Sequence, residues 1–243
     1  MSAGDAALAA RLATEAGELL LKVRQSVEPE RRKDEGDRQS HEFLAAALAS
    51  ERPGDAVLSE EGKDSPARLS ADRVWIIDPL DGTREFGEGD RRDWAVHVAL
   101  WSQGSLVAGA VALPAQGVTF SSDEPPTLPE LGDPIRLVVS RTRPPELVTA
   151  LAEVLGAELV PMGSAGAKAM SVLQGASDAY VHGGGQYEWD SAAPVVVATA
   201  AGLHTSRLDG SPLVYNQEDV LLPDLVVCQP SIAARLLEAI AAV

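Results

Sequence analysis

Trp75-Ile76-Ile77-Asp78-Pro79-Leu80-Asp81-Gly82-Thr83-Arg84-Glu85-Phe86 sets two carboxylates three residues apart, directly after an apolar run, on a backbone that proline and glycine bend. Pro79 fixes its own φ and disfavours helical geometry at Asp78, while Gly82 admits a turn that a Cβ would obstruct. The reading is a strand that ends in a fixed bend, with both acids leaving its end toward one region of space. Hard divalent cations such as Mg²⁺ take carboxylate, carbonyl and water oxygens, and keep positions open for substrate phosphate. Asp78, Asp81 and the Leu80 carbonyl are therefore candidate metal ligands.

Acids continue on both sides. Upstream, Ala56 to Ser59 reads as a short buried strand ending in Glu60-Glu61; downstream, Tyr187-Glu188-Trp189-Asp190-Ser191-Ala192-Ala193 opens an alanine-rich helix. An isolated Asp190 would suit a helix N-terminus without any metal. Acidic residues outnumber basic ones 36 to 20, for a net charge of −16, which excludes polynucleotide binding through a general basic field. A phosphate ester remains compatible, because bound cations reverse the local charge. Cys228 is the only cysteine and reads as an inert thiol in the buried strand Leu225 to Cys228. The N-terminal region interleaves charges with apolar positions at helical spacing, and no segment has the ~18 apolar residues of a membrane span. A soluble, cytoplasmic protein is expected.

The 243 residues allow one domain or two packed subdomains. Amphipathic helices are expected at Ala6 to Val23 and His41 to Ser50, separated by the charged stretch Glu28 to Arg38. Strands follow at Ala56 to Ser59, Val74 to Ile77, Trp94 to Trp101, Leu106 to Leu113 and Gly117 to Ser121. Residues 123–134 hold four prolines and read as a linker between an N-terminal α+β subdomain, 1–122, and a C-terminal α/β subdomain, 135–243. In the latter, strands at Ile135 to Ser140, Glu158 to Pro161, Ala179 to His182 and Leu225 to Cys228 alternate with helices at Glu146 to Leu155, Ala167 to Gln174 and Trp189 to Ala201. A terminal helix begins at Ser231. His97 reads as a hydrogen-bonded structural histidine; His41, His182 and His204 are unforced.

Three motifs in order, Ser59-Glu60-Glu61, Asp78 to Phe86, and Glu188-Trp189-Asp190 with its alanine-rich helix, make the chain resemble the inositol monophosphatase superfamily. The resemblance implies the layered α-β-α-β-α sandwich shared with fructose-1,6-bisphosphatase. It also implies a lithium-sensitive phosphomonoesterase with two or three Mg²⁺ ions and, in many relatives, a homodimer. By the same resemblance Asp78 bridges the ions, Asp81 and Asp190 hold one, and Glu60 with the Leu80 carbonyl holds the other. Gly82 and Thr83 present backbone amides to the phosphate, and Thr83 orients the attacking water. That water's second partner is where the chain departs from the family's Asp-x-x-Thr-x-x-Asp, since Lys33 to His41 lacks the threonine and the final aspartate; Asp37, Asp34 and Glu35 all remain candidates.

Asp81-Gly82-Thr83-Arg84-Glu85-Phe86 looks like the 3′(2′),5′-bisphosphate nucleotidase branch, with Arg84 suited to bidentate contact with a phosphate. Gly163, Ser164 and Lys168 match the family's glycine–serine segment and are expected to contact substrate, with Glu188 bonding a substrate hydroxyl. Gly183-Gly184-Gly185 reads as backbone freedom beside the pocket. The expected partner is a small phosphate ester, a nucleotide bisphosphate. The expected reaction is hydrolysis of adenosine 3′,5′-bisphosphate to AMP and phosphate, clearing a by-product of sulfate assimilation. Inositol-1-phosphate or fructose-1,6-bisphosphate hydrolysis is the alternative, and a catalytically silent phospho-ligand binder the remote one.

Overall fold

The computed structural model describes residues 3–243, so Met1 and Ser2 of the expected 1–122 unit lie outside the described residues. The chain opens with α1 (Ala3–Ser26) and α2 (Arg32–Glu51). Then come β1 (Ala56–Ser59), β2 (Arg73–Asp81), the short α3 (Thr83–Gly87), β3 (Ala95–Ser102), β4 (Ser105–Leu113) and β5 (Val118–Ser121). These strands form one sheet in sequence order, β1 parallel to β2 and the rest antiparallel. Residues 122–135 carry neither helix nor strand. Beyond them lie β6 (Arg136–Ser140), α4 (Glu146–Leu155), β7 (Glu158–Met162), α5 (Ala165–Leu173), β8 (Ala179–His182), β9 (Gln186–Tyr187) and α6 (Glu188–Ala200). The chain closes with β10 (His204–Ser206), β11 (Leu221–Leu222), β12 (Leu225–Cys228) and α7 (Ala233–Ala242). The second sheet runs β10-β12-β8-β6-β7, and β9 pairs with β11.

Alternation along the strands builds the layers. Trp75 and Ile77 of β2 pack with Leu12, Ala16, Leu20 and Leu44 of α1 and α2, while Val74 and Ile76 face α5 and α6 through Met170, Ala192, Val195 and Val196. The same cluster continues into Val138, Tyr180 and Val227 of the second sheet, whose far face packs α4 and α7 through Val148, Leu151, Leu236 and Ala239. The order is α1/α2, sheet, α5/α6, sheet, α4/α7, the five-layer α-β-α-β-α sandwich. Because α5 and α6 serve both sheets, the two halves share one core.

One helix departs from expectation. The charged stretch read as separating two helices is a single 3₁₀ turn at Pro29–Arg31, and α2 begins at Arg32. The inner face of its first half has no apolar stripe, because Gly36 and Ser40 occupy it ahead of Leu44 and Leu48. A Cβ on Gly36 would meet Phe86 at 2.8 Å and Leu80 at 2.9 Å, and Ser40 Oγ donates to the Pro79 carbonyl at 2.7 Å. Outside, Arg31–Glu35, Glu35–Arg38 and Arg38–Glu42 pairs lace the exposed face. The terminal helix expected from Ser231 starts as a 3₁₀ turn, Pro230–Ile232, before α7. Among the described residues no helix is long and apolar enough to cross a membrane.

The contact between the first sheet and the shared helical layer is close-packed at Gly109 of β4, where a Cβ would lie 2.4 Å from Val196 Cγ1 and 3.2 Å from the Val98 carbonyl. Gly109→Ala should therefore destabilise the protein by about 1–3 kcal/mol, the usual cost of overpacking a filled core. Urea unfolding measures this, and an unchanged midpoint would show that α6 is not seated on β4 as described.

Candidate active site

In a regular strand, residues three apart point to opposite faces, so Asp78 and Asp81 on β2 would diverge. The ladder is broken between them. Asp78 pairs with His97 and Asp81 with Ala95, so three steps on β2 oppose two on β3 and one extra residue is inserted. Such a bulge restores both acids to one side, and Pro79, which has no N–H to give the ladder, sits inside it. Gly82 then turns the chain with φ +83°, where a Cβ would approach Ser164 Cβ at 2.9 Å. Asp190, on the first turn of α6, comes from the other side of the chain. One carboxylate oxygen each of Asp78, Asp81 and Asp190 lies within 4.8 Å of the others.

The acids differ in their surroundings. Burial and the charges of Glu60, Asp81 and Asp190 push Asp78 well above the usual carboxylate range, and the Leu80 amide at 3.0 Å is its one backbone donor. Burial and Asp81 push Asp190 up to about 6, although the Tyr187 amide donates to it at 2.6 Å. Glu60, at the end of β1, is pushed to about 7 by burial and by Asp190. It lies against Asp78 at the rim, outside the three-acid cluster. Asp81 is the exception. Burial raises it, but the His97 imidazole, the Ser164 hydroxyl and the Gly166 amide outweigh burial and hold it at about 2. Ser164 Oγ donates at 2.5 Å, Gly166 N at 2.6 Å and Ala165 N at 3.0 Å, so Asp81 caps the N-terminus of α5.

Beside the cluster, Thr83 Oγ1 stands 3.2 Å from the Leu80 carbonyl and 3.4 Å from Asp37 Oδ1. Of the three candidate acids in α2, Asp37 is the one that reaches Thr83. Asp34 is exposed one turn earlier on the helix, and Glu35 is held at about 2, first by Arg38. Burial and the charge of Glu61 push Asp37 to about 7.

The residues expected to contact substrate also have partners within the fold. Both oxygens of Glu188 accept backbone amides, from Asn216 and Gln217 at 2.7 Å each, so this buried acid pins a loop. Arg84 is exposed and donates to Thr142 Oγ1 at 3.1 Å. The Ser164 hydroxyl is spent on Asp81 and on the Ala167 amide. Gly163 donates its N–H to Asp93 at 2.6 Å, and a Cβ there would strike Glu85 Cδ at 2.3 Å. Glu85 itself is buried and paired with Arg141 at 2.8 Å. Lys168 lies over the Tyr180 ring, 5.3 Å from its centroid; burial pulls its ammonium down against the opposing charges of Asp81, Glu85, Asp190 and Asp93.

Residues 5–128 and 130–243 match the model of the inositol monophosphatase family. The chain belongs to that family. Among its relatives, the 3′-phosphoadenosine 5′-phosphate phosphatase of Mycobacterium leprae is 53% identical, over 96% of this chain and 92% of the relative. The 3′(2′),5′-bisphosphate nucleotidase CysQ of Escherichia coli K12 is 30% identical, over 76% and 80%. The crystal structure of CysQ from Bacteroides thetaiotaomicron superposes with a TM-score of 0.77 at 29% identity, covering 93% of this chain and 97% of that one.

Reading by residue missed Asp93, which anchors Gly163 and pairs with Arg91, and it missed the contact of His97 with Asp81. The only available signal was cross-strand register, which places His97 opposite Asp78.

The raised acids make stability depend on pH. A carboxyl whose folded pKa exceeds its unfolded value, 3.8 or 4.5, contributes stability present below that value and lost as pH rises through about 6 to about 7. The cation-free protein should therefore melt at progressively lower temperature between about pH 4 and about pH 7, and added Mg²⁺ should reverse the loss. Thermal melts with and without chelator test this; a melting temperature that is flat or rising over that range would contradict the clustered acids.

Proposed function

We propose that this chain is a Mg²⁺-dependent phosphomonoesterase that hydrolyses adenosine 3′,5′-bisphosphate to AMP and phosphate. The observation that carries the reaction class is the convergence of Asp78, Asp81 and Asp190 within 4.8 Å, beside a Thr83–Asp37 pair. Donors that are all oxygen, and that repel one another until Asp78 is pushed far up, fit hard divalent cations. Asp78, Asp81, Asp190, Glu60 at the rim and the Leu80 carbonyl would hold them. Bound there, the ions supply positive charge to the phosphoryl oxygens and acidify the attacking water.

The chain's own groups do the rest. Thr83 Oγ1, fixed between Leu80 O and Asp37, orients the water. Asp37, poised near neutrality by its burial, takes the water's proton through the Thr83 hydroxyl, a match of pKa to working pH that general-base catalysis rewards. Gly82 and Thr83 offer backbone amides to the phosphate. Lys168 reaches the same cleft from α5, and its proximity to His182 lowers that imidazole further than burial alone. The choice of nucleotide rests on the 53% identity to the mycobacterial enzyme. Lithium sensitivity, a cytoplasmic setting and the disposal of a by-product of sulfate assimilation belong to the same reading.

Purified protein assayed with adenosine 3′,5′-bisphosphate, inositol-1-phosphate and fructose-1,6-bisphosphate, with and without Mg²⁺, should show the highest kcat/KM for the nucleotide and none without the cation. Equal or better turnover of inositol phosphate would reject the substrate, and full activity after chelation would reject the mechanism. Asp78→Asn should lower kcat by about 10³-fold or more, the several kcal/mol that a metal centre supplies. Because it also removes a buried charge among acids, the same variant should raise the melting temperature of the cation-free protein. A variant both active and no more stable would contradict the role of Asp78.

A further inference from the structure

His97 is fully buried in the middle of β3 and is tied to both chain segments that bring acids to the site. Its Nε2 makes an ion-pair contact with Asp81 Oδ2 at 3.2 Å without hydrogen-bond geometry, and its Nδ1 lies 3.0 Å from the backbone carbonyl of Trp189, the residue before Asp190. The ring is wedged against α5 at Gly166, where a Cβ would fall 2.0 Å from Nε2. Asp81 has other anchors, all on α5, and Asp190 has its own in the Tyr187 amide. Among the hydrogen bonds and ion pairs of the described residues, only those of His97 link the carboxylate at the end of β2 with the backbone of the first turn of α6.

We propose that His97 is a positioning residue for metal binding, a rigid strut that sets the separation of Asp81 from Asp190. The proposal rests on the reading of those acids as metal ligands. A strut of this kind acts on metal affinity. Groups that hold metal ligands from behind typically contribute about 10- to 100-fold to binding when removed, because the ligands then sample spacings the ion does not accept. Gly166 belongs to the same device, since only a residue without a Cβ leaves room for the ring.

The test is Mg²⁺ binding followed by calorimetry and by the cation-induced rise in melting temperature, on the wild type, His97→Phe and Gly166→Ala. Phenylalanine fills the space without either nitrogen. Alanine at Gly166 leaves its amide and every acid in place but displaces the ring. Both variants should bind Mg²⁺ about 10- to 100-fold more weakly than the wild type, and the kcat of each should recover substantially at saturating Mg²⁺. If His97→Phe does not fold, Gly166→Ala decides alone. A variant that melts earlier yet binds Mg²⁺ as tightly as the wild type would reduce His97 to a core residue and overturn the proposal. A wild type that binds no divalent cation would overturn the metal reading itself, and the proposal with it.

Discussion

Like charges held together out of water are the constraint around which this molecule is arranged. Asp78, Asp81 and Asp190 approach within 4.8 Å in a largely buried place, with Glu60 at the rim, and burial of unpaired carboxylates is among the most costly things a fold can do. The arrangement persists because the cost is distributed unevenly. Asp81 is satisfied by three donors of the α5 N-terminus and by His97, so it stays ionised with little strain. Asp78 has a single amide and absorbs most of the repulsion. Asp190 lies between these extremes. The least compensated acid is thus the central one, on the bulge, where cations would relieve the most energy.

Two helix N-termini converge on this place, and their roles differ from what a phosphate-binding scheme would assign. The amides of Ala165 and Gly166 at the start of α5 point at Asp81 rather than outward, and Ser164, held at φ +51°, spends its hydroxyl on the same carboxylate. The first turn of α6 uses Asp190 to satisfy its own Tyr187 amide while presenting that acid to the cluster. Each acid serves the fold and the site at once. That is why the acids are held in place by the fold itself.

The end of β2 and the family were legible in the sequence because their signals are local: an apolar run, a proline, a glycine and two acids fix the strand end, and the three ordered motifs identify the family. Most strands and helices were legible from periodicity for the same reason. What escaped depends on contacts made at a distance. The start of α2 was hidden because its packed face is built from Gly36 and Ser40, which fit under Phe86 and Pro79 and leave no apolar stripe to read. Asp37 could be singled out from Asp34 and Glu35 only once that helix was known to face Thr83. Glu188 carries the motif of a ligand contact, but its hold on the amides of a loop 28 residues away and more could not be read from the motif. His97 is invisible as a site residue until β2 and β3 are in register.

Glu85 shows how a sequence marker can act without touching a ligand. It distinguishes the branch that this chain resembles, but its side chain is buried against Gly163, clamped by Arg141 from the end of β6, whose second arm reaches Glu88 at 2.5 Å. Gly163 is in turn fixed by Asp93, and the residue after it is Ser164, which holds Asp81. Exchanging Glu85 for a smaller side chain would open space beneath that turn and loosen the start of α5, the element that carries Lys168 into the cleft. The marker is best understood as part of the packing that joins the first sheet, through Asp81 at the end of β2, to the start of α5, so that both meet at one turn.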